Sequence, residues 1–280
     1  MQSAEENIPK VSLIISFYNK LDILKLVLAG LERQSFKEFE VIIADDGSKQ
    51  EIVDELKRII AYSKLNIVHV WHEDLGWRKN IALNNAIIKS RAEYLVFIDG
   101  DCIPHKHFIK EHYLSRQKSV VLAGRRVNLS EHISRILKPS FVRHGYLENL
   151  FIPLMIFERF LGKGSYIEYG LYIKSKRIRK KINKKDRGIL GSNFSIHKQD
   201  ILAINGFDER YNSPYLGEDT DLEYRLRLYG FSVRTVKFLA IQFHTFHERL
   251  VNTKQNEAIF EDTKKNNYAY IPYGIKKQKD

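Results

Sequence analysis

Hydrophobic residues recur with two alternating periods along the first part of the chain. Residues 11–15 are apolar except for Ser12, as in a buried strand. Residues 21–31 carry apolar side chains at 24, 27, 28 and 31, the stripe of a helix. Residues 39–44 read as a second strand, 51–61 as a helix, 66–71 as a third strand, 78–90 as a helix and 94–98 as a fourth strand. This cadence predicts an α/β fold with a mostly parallel sheet and helices on both faces. Ligands of such sheets bind beyond the C-terminal ends of the strands. Those ends carry Ser16-Phe17-Tyr18-Asn19, Asp45-Asp46-Gly47-Ser48, His72-Glu73-Asp74 and Asp99-Gly100-Asp101, so carboxylates recur along one sheet edge.

The pattern loosens over 105–187, where an apolar run at 150–157 precedes a basic segment. It returns from 188 to about 249, and the polar residues 251–280 are expected to be a surface tail. With 280 residues, 44% apolar and 29% charged, the composition is that of one folded domain, with or without an insertion. The single cysteine, Cys102, excludes a disulfide framework, argues against a cysteine zinc site and points to a reducing compartment. Residues 1–10 lack an apolar signal core, and no apolar run reaches the ~20 residues that span a bilayer. Of the net charge of +12, the segment 174–187 supplies +8, from nine Lys/Arg and Asp186. Nucleic acid, an anionic membrane or a solvated face can each account for such a run.

No GxGxxG follows the first strand and no GxxxxGK[ST] occurs, so a backbone cradle for phosphate is not expected. A carboxylate-rich edge repels a diphosphate unless a cation intervenes. Asp99 and Asp101, one residue apart at a strand end, can share Mg²⁺ or Mn²⁺, which suits hard oxygen ligands. A plain turn also accounts for the tripeptide, but its alignment with the other acids favours a site. Asp46 can accept from a base N–H or a ribose hydroxyl, and a turn explains it equally well.

Residues 218–221 open a helix whose apolar positions are Leu222, Leu226 and Tyr229. At 100° per residue Asp219 shares their side and Asp221 faces away. Glu218 and Asp221 complement the helix dipole, whereas an inward Asp219 is expected to stay ionised and to serve as a base for an acceptor hydroxyl. His244 and His247 follow an apolar stretch, and at least one of them can complete a metal shell. The run Gly76-Trp77-Arg78-Lys79-Asn80 opens a helix. There Arg78 and Lys79 can meet a nucleotide or cap the helix exposed, and Trp77 is a further substrate-binding candidate.

In this order the elements resemble family-2 glycosyltransferases of the GT-A fold, a Rossmann-like architecture. The stretch 191–208, which opens Gly191-Ser192-Asn193 and ends Gly206-Phe207-Asp208, followed by Tyr215-Leu216-Gly217-Glu218-Asp219, resembles a C-terminal galactosyltransferase-type region. The resemblance covers roughly residues 9–250. It implies one domain over 1–250, with a nucleotide-binding half at 9–104, a variable insertion at 105–187 and an acceptor and metal half at 188–250. By position, Ser16, Tyr18, Asn19, Asp46, Arg78, Lys79, Asp99 and Gly100 would bind nucleotide, with Asp46 on uracil. Asp101 would bind the metal directly, beside Asp99. His247 matches the metal histidine of the galactosyltransferases and His244 their metal methionine. Asp219 matches the catalytic base, and Glu218, Gly191 and Trp77 would flank the sugars. Tyr215 stands where the galactosyltransferases have a tryptophan, which leaves the sugar open.

The resemblance thus implies an inverting transfer from a UDP-sugar, with Mn²⁺ or Mg²⁺, to a glycan or lipid-linked acceptor in surface polysaccharide or lipopolysaccharide synthesis. Residues 150–187 fit an anionic membrane contact on the cytoplasmic face, against the alternative of a solvated insertion. A sugar nucleotidyltransferase is disfavoured because no glycine-rich loop follows the first strand. Nucleic acid is not expected as a partner, because the acids line the ligand edge and the basic residues lie apart.

Overall fold

The computed structural model describes residues 8–183, 188–213, 218–248 and 255–277. The predicted cadence is present at its start: β1 (Val11–Phe17), α1 (Leu21–Glu32), β2 (Phe39–Asp45), α2 (Gln50–Tyr62), β3 (Ile67–Trp71), α3 (Lys79–Lys89) and β4 (Tyr94–Asp99). Next come β5 (Cys102–Pro104), α4 (Phe108–Ser115), β6 (Val120–Ala123) and β7 (Arg125–Asn128). Short helices follow: α5 (Glu131–Ile136), α6 (Pro139–Arg143), α7 (Tyr146–Asn149), α8 (Ile152–Phe160) and, beyond a 3₁₀ turn at Ile167–Gly170, α9 (Lys176–Ile182). Beyond these lie β8 (Asn193–His197), α10 (Lys198–Ala203), α11 (Glu218–Tyr229), β9 (Ser232–Thr235), β10 (Ile241–His244) and α12 (Gln255–Lys265).

The main sheet has the order β3-β2-β1-β4-β8-β6-β9. β8 runs antiparallel to both neighbours and the other pairs are parallel. Its pleat sends alternate residues to opposite faces. Leu13 and Ile15 join Leu24, Val27, Leu28 and Leu31 of α1 in one core layer. Ile14 joins Ala82, Leu83, Ala86 and Ile87 of α3 and Leu222 and Leu226 of α11 in the other. Each Val, Leu or Ile among them contributes about 1.5–3 kcal/mol on burial. The register sets Ser16 opposite Ala44 and Asp99, and Phe17 opposite Asp45, so the acid-bearing strand ends share one edge. A second sheet, β5-β10-β7, sets His244 opposite both Cys102 and Asn128.

Two expectations are corrected. The stretch 105–187 is not all insertion, because β6 extends the main sheet and β7 completes the small one. Both strands are four residues long, too short for a readable period, and β7 is Arg-Arg-Val-Asn, polar on its open face. Nor are residues 255–277 a loose polar tail. Ile271 is fully buried, and Asn205 Nδ2 donates to the carbonyls of Ile271 and Lys276 at 2.6 and 2.9 Å. Backbone capture by one buried asparagine leaves no hydrophobic signature in the sequence.

A buried acid braces the far end of the sheet. Glu40 accepts from Ser12 Oγ at 2.6 Å, Arg91 N at 2.7 Å and Arg91 Nε at 2.9 Å. Burial pushes its carboxyl up, but these bonds outweigh burial and hold it below the ordinary carboxylate value. A depressed folded pKa gives stability that is present above the unfolded pKa and lost as pH falls through the folded one. Glu40→Gln is therefore expected to cost about 1–3 kcal/mol at neutral pH. Denaturant titration should find the difference shrinking as wild type is acidified past the ordinary carboxylate range, about pH 4.

Candidate active site

The aligned strand ends open into a cleft of about 1220 Å³. Asp45 closes β2 fully buried, accepting from Ser48 N and His69 Nε2, both at 2.8 Å, and so shapes the turn. Asp46 instead lines the cleft, where its carboxylate accepts from Arg78 N at 3.0 and 3.2 Å and lies 3.3 Å from His72 Nε2. Tyr18 donates its hydroxyl to Asp74 at 3.0 Å, and both line the same end, with Trp77 beside them. Asn19 and Arg78 are not among the lining residues. Asn19 takes a positive φ of 57° and accepts from Lys49 N at 2.9 Å, which fixes the loop behind the site. Arg78 acts through its backbone N–H.

Asp99 and Asp101 part ways. Asp99 accepts from Ser16 Oγ at 2.7 Å and Lys79 Nζ at 3.1 Å. Lys79 reaches on to Glu218 at 3.0 Å, linking β4 to the start of α11. Burial alone would discharge this lysine, but Asp99 and Glu218 outweigh it and raise its pKa. Gly100, between the aspartates, donates its N–H to Ser16 O at 2.8 Å, and a Cβ there would stand 2.8 Å from the same oxygen. Only glycine lets the strand break this close to β1.

Asp101 turns toward the small sheet. Its Oδ2 lies 3.5 Å from His244 Nε2 and 3.3 Å from His247 Nε2, and the two nitrogens are 3.2 Å apart. Two imidazoles and a carboxylate suit a divalent transition metal. Ligand atoms ~2.1 Å from one ion lie roughly 3.0–3.4 Å from one another, so this donor set fits a cation with little movement. Burial pushes the Asp101 carboxyl up, but the two imidazoles outweigh it and hold it well below the ordinary value. Cys102, beside them, is fully buried; burial pushes its thiol well up, and its Sγ donates to Asp101 Oδ1 at 3.3 Å.

Asp219, in the first turn of α11, also lines the cleft, and its Oδ2 accepts from Gly191 N at 3.2 Å. Burial, then the charge of Glu218, raises its pKa against the Gly191 N–H and Lys79. The sequence led to the expectation that the helix N-terminus would govern this carboxylate, whereas burial and Glu218 outweigh the groups that favour its charged form. A raised pKa strengthens a carboxylate as a base.

Asp221 corrects a second expectation. It does not face away to complement the dipole. It is buried and bound to Arg225 Nε at 2.7 Å, and Arg225 is itself fully buried. Helical period alone assumes one buried face, whereas α11 is covered on two. Tyr215 lies outside the described residues. Of the remaining candidates, Ser16, Tyr18, Asp46, Trp77, Lys79, Asp99, Gly100, Asp101, Gly191, Glu218, Asp219, His244 and His247 line one cleft. Sequence reasoning missed Arg126, Asn128 and Ser192, which line it too. Strand β7 itself was the unreadable element.

The chain is similar to known proteins. The family model "Glycosyl transferase family 2" matches residues 12–197, and "N-terminal domain of galactosyltransferase" matches 174–248. Chondroitin synthase of Escherichia coli is 26% identical over 236 residues, covering 81% of this chain and 33% of that one. Hyaluronan synthase of Pasteurella multocida is 23% identical over 235 residues, covering 81% and 24%. The chain thus spans a third or less of the length of these relatives. Among solved structures, S. aureus TarS 1–349 in complex with UDP-GlcNAc superimposes with a TM-score of 0.53 at 18% identity, over 86% of this chain and 60% of that one. The mostly parallel sheet is thereby the GT-A fold. Since the first match spans well over half of its residues, the chain belongs to glycosyl transferase family 2.

Proposed function

We propose that the protein is an inverting, metal-dependent glycosyltransferase that moves a hexose or N-acetylhexosamine from a UDP-sugar to a glycan or lipid-linked acceptor of surface polysaccharide or lipopolysaccharide synthesis. One observation carries this reading: a single cleft holds a cation-binding set, Asp101 with His244 and His247, and a half-buried carboxylate, Asp219, oriented by the Gly191 N–H. The UDP-GlcNAc bound by TarS supports a uridine nucleotide, and the likeness to chondroitin and hyaluronan synthases supports a glycan acceptor.

In this reading Asp46 receives the uracil and Ser16, Tyr18 and Asp99 the nucleoside. Lys79 offsets the repulsion between Asp99 and Glu218 and steadies both walls. Glu218, Trp77 and Gly191 border the sugars. Asp101, His244 and His247 would hold Mn²⁺ or Mg²⁺, which supplies Lewis-acid stabilisation to a departing diphosphate. Asp219 takes the proton of an acceptor hydroxyl while that oxygen bonds to the anomeric carbon. The bond from that carbon to the β-phosphate oxygen breaks, and its electron pair leaves on UDP. One displacement inverts the centre and needs no enzyme nucleophile.

The test is UDP release from a panel of UDP-sugars with Mn²⁺ or with EDTA. One sugar is expected to turn over only with metal. EDTA or His247→Ala should each lower that rate on the order of 100-fold or more, since the cation supplies several kcal/mol. If no UDP-sugar binds or turns over with metal present, the UDP-donor reading fails.

The same reading puts the protein on an anionic membrane surface at the cytoplasmic face. No helix among the described residues is long and apolar enough to cross a membrane. Phe157 and Phe160 of α8 are 61% and 87% exposed. On α9, Ile178 and Ile182 are exposed between Lys176, Arg177, Lys180 and Lys181, which pair with no carboxylate among the described residues. Residues 184–187 of the basic run lie outside those described. Each cation adds on the order of 1 kcal/mol near an anionic leaflet. The protein should co-sediment with vesicles containing phosphatidylserine and be released by high salt. Failure to bind them at low salt would leave α8 and α9 a solvated insertion.

A further inference from the structure

The cleft holds a guanidinium that the mechanism above does not use. Its wall is rich in carboxylates, Asp46, Asp74, Asp99, Asp101, Glu218, Asp219 and Glu248 among them, against the cations Lys20, Lys79 and Arg126. Lys79 is held by two of those acids. Arg126 is half-buried and has no carboxylate partner among the described residues. Its Nη1 lies 3.5 Å from Ser192 Oγ, the outer limit of a hydrogen bond. Its neighbour Arg125 is committed to the fold, donating to Gly124 O at 2.6 Å and Gly188 O at 2.9 Å.

Register gives Arg126 its address. β7 lies parallel beside β10, with Arg126 opposite Gln242 and Asn128 opposite His244. Residues two apart on a strand share a face, so Arg126 stands one step along from the row that carries His244. On its other side, Ser192 adjoins Gly191, whose N–H holds Asp219. Arg126 therefore lies between the cation-binding set and the carboxylate proposed as base. Asn128, on the same face, donates to Ser165 Oγ at 2.8 Å, while its own Oδ1 is shielded and has no partner. An uncommitted guanidinium and an orphan amide oxygen together fit a ligand that carries anionic oxygens and a hydroxyl.

We propose that Arg126 is the anion anchor of the cleft, binding anionic oxygens of the substrate beside the reacting carbon, with Asn128 Oδ1 accepting from a neighbouring hydroxyl. This rests on the glycosyltransferase reading. Those oxygens belong either to the departing diphosphate or to an acidic group on the acceptor sugar. Arginine suits either, because its planar fork pairs two oxygens at once.

The experiment compares wild type, Arg126→Gln and Arg126→Lys with Mn²⁺ present. Titration with UDP and with uridine reads the donor side. KM for glycan acceptors ending in a hexuronic acid or in a neutral sugar reads the acceptor side. If the anion is the diphosphate, Arg126→Gln weakens UDP on the order of 10- to 100-fold and leaves uridine unchanged. If it belongs to the acceptor, UDP is unchanged and KM rises by a similar factor for the acidic acceptor alone. Arg126→Lys should recover part of either loss. Unchanged UDP affinity together with unchanged KM for both acceptors overturns the proposal. A wild type that does not bind UDP at all removes instead the reading on which it rests.

Discussion

Asp219→Asn is expected to lower kcat by roughly 10²–10⁴-fold, the range that a positioned general base contributes. The substitution keeps the shape of the side chain and its contact with the Gly191 N–H, and removes only the basic oxygen. UDP should therefore bind the variant within a few-fold of wild type. This separation distinguishes a base from a structural acid, whose loss would disturb binding and stability as well. The pH profile gives an independent check. Burial and the adjacent Glu218 raise the Asp219 pKa, so kcat should fall on acidification through a value above the ordinary aspartate value of about 3.9. A base works only when deprotonated, so activity lies on the alkaline side of that limb. An asparagine variant that retains most of its turnover would exclude Asp219 from proton transfer.

Legibility differed along the chain for physical reasons. Strands β1, β2 and β4 and helices α1 and α3 could be read because each buries a long, regular face, and β3 and α2, only partly buried, because their apolar positions still recur with a clear period. The acids at their ends were legible because the parallel register brings Asp45 and Asp99 level with Phe17 and Ser16. Asp219 could be picked out because it interrupts an apolar stripe. β7 could not: its four residues carry one buried side chain, Val127, flanked by residues that face a polar cleft. Nor could the contact of residues 271–276 with Asn205, since a buried amide that binds backbone looks like any surface asparagine. Arg225 was hidden for the same reason. An arginine two-thirds of the way along a polar helix reads as solvent-facing until a second layer of chain covers it.

That arginine carries the largest expected effect on stability. Arg225 Nε donates to Asp221, Nη1 to Ile204 O at 3.0 Å and Nη2 to Gly206 O at 2.9 Å, and the side chain has no exposed surface. Residues 204–206 are also gripped by the C-terminal strap, where Ile275 N donates to Asn205 O at 3.1 Å. One guanidinium thus joins α11, the turn after α10 and, through that turn, residues 271–276. Arg225→Met keeps most of the apolar stem but leaves the Asp221 carboxylate buried without its partner. The expected cost is about 3–5 kcal/mol, the usual penalty for breaking a buried pair. At this chain length that is a fall in Tm on the order of 10 °C. Burial raises the Asp221 pKa even beside Arg225, so the carboxylate is the strained member of the pair. Asp221→Leu combined with Arg225→Met should therefore be less destabilised than the sum of the single changes, with a coupling of roughly 1–3 kcal/mol. Additive losses would mean that Arg225 acts through the Ile204 and Gly206 carbonyls alone. The start of α11 would then owe its position, and Asp219 its aim into the cleft, to the turn at 204–206 and not to the ion pair.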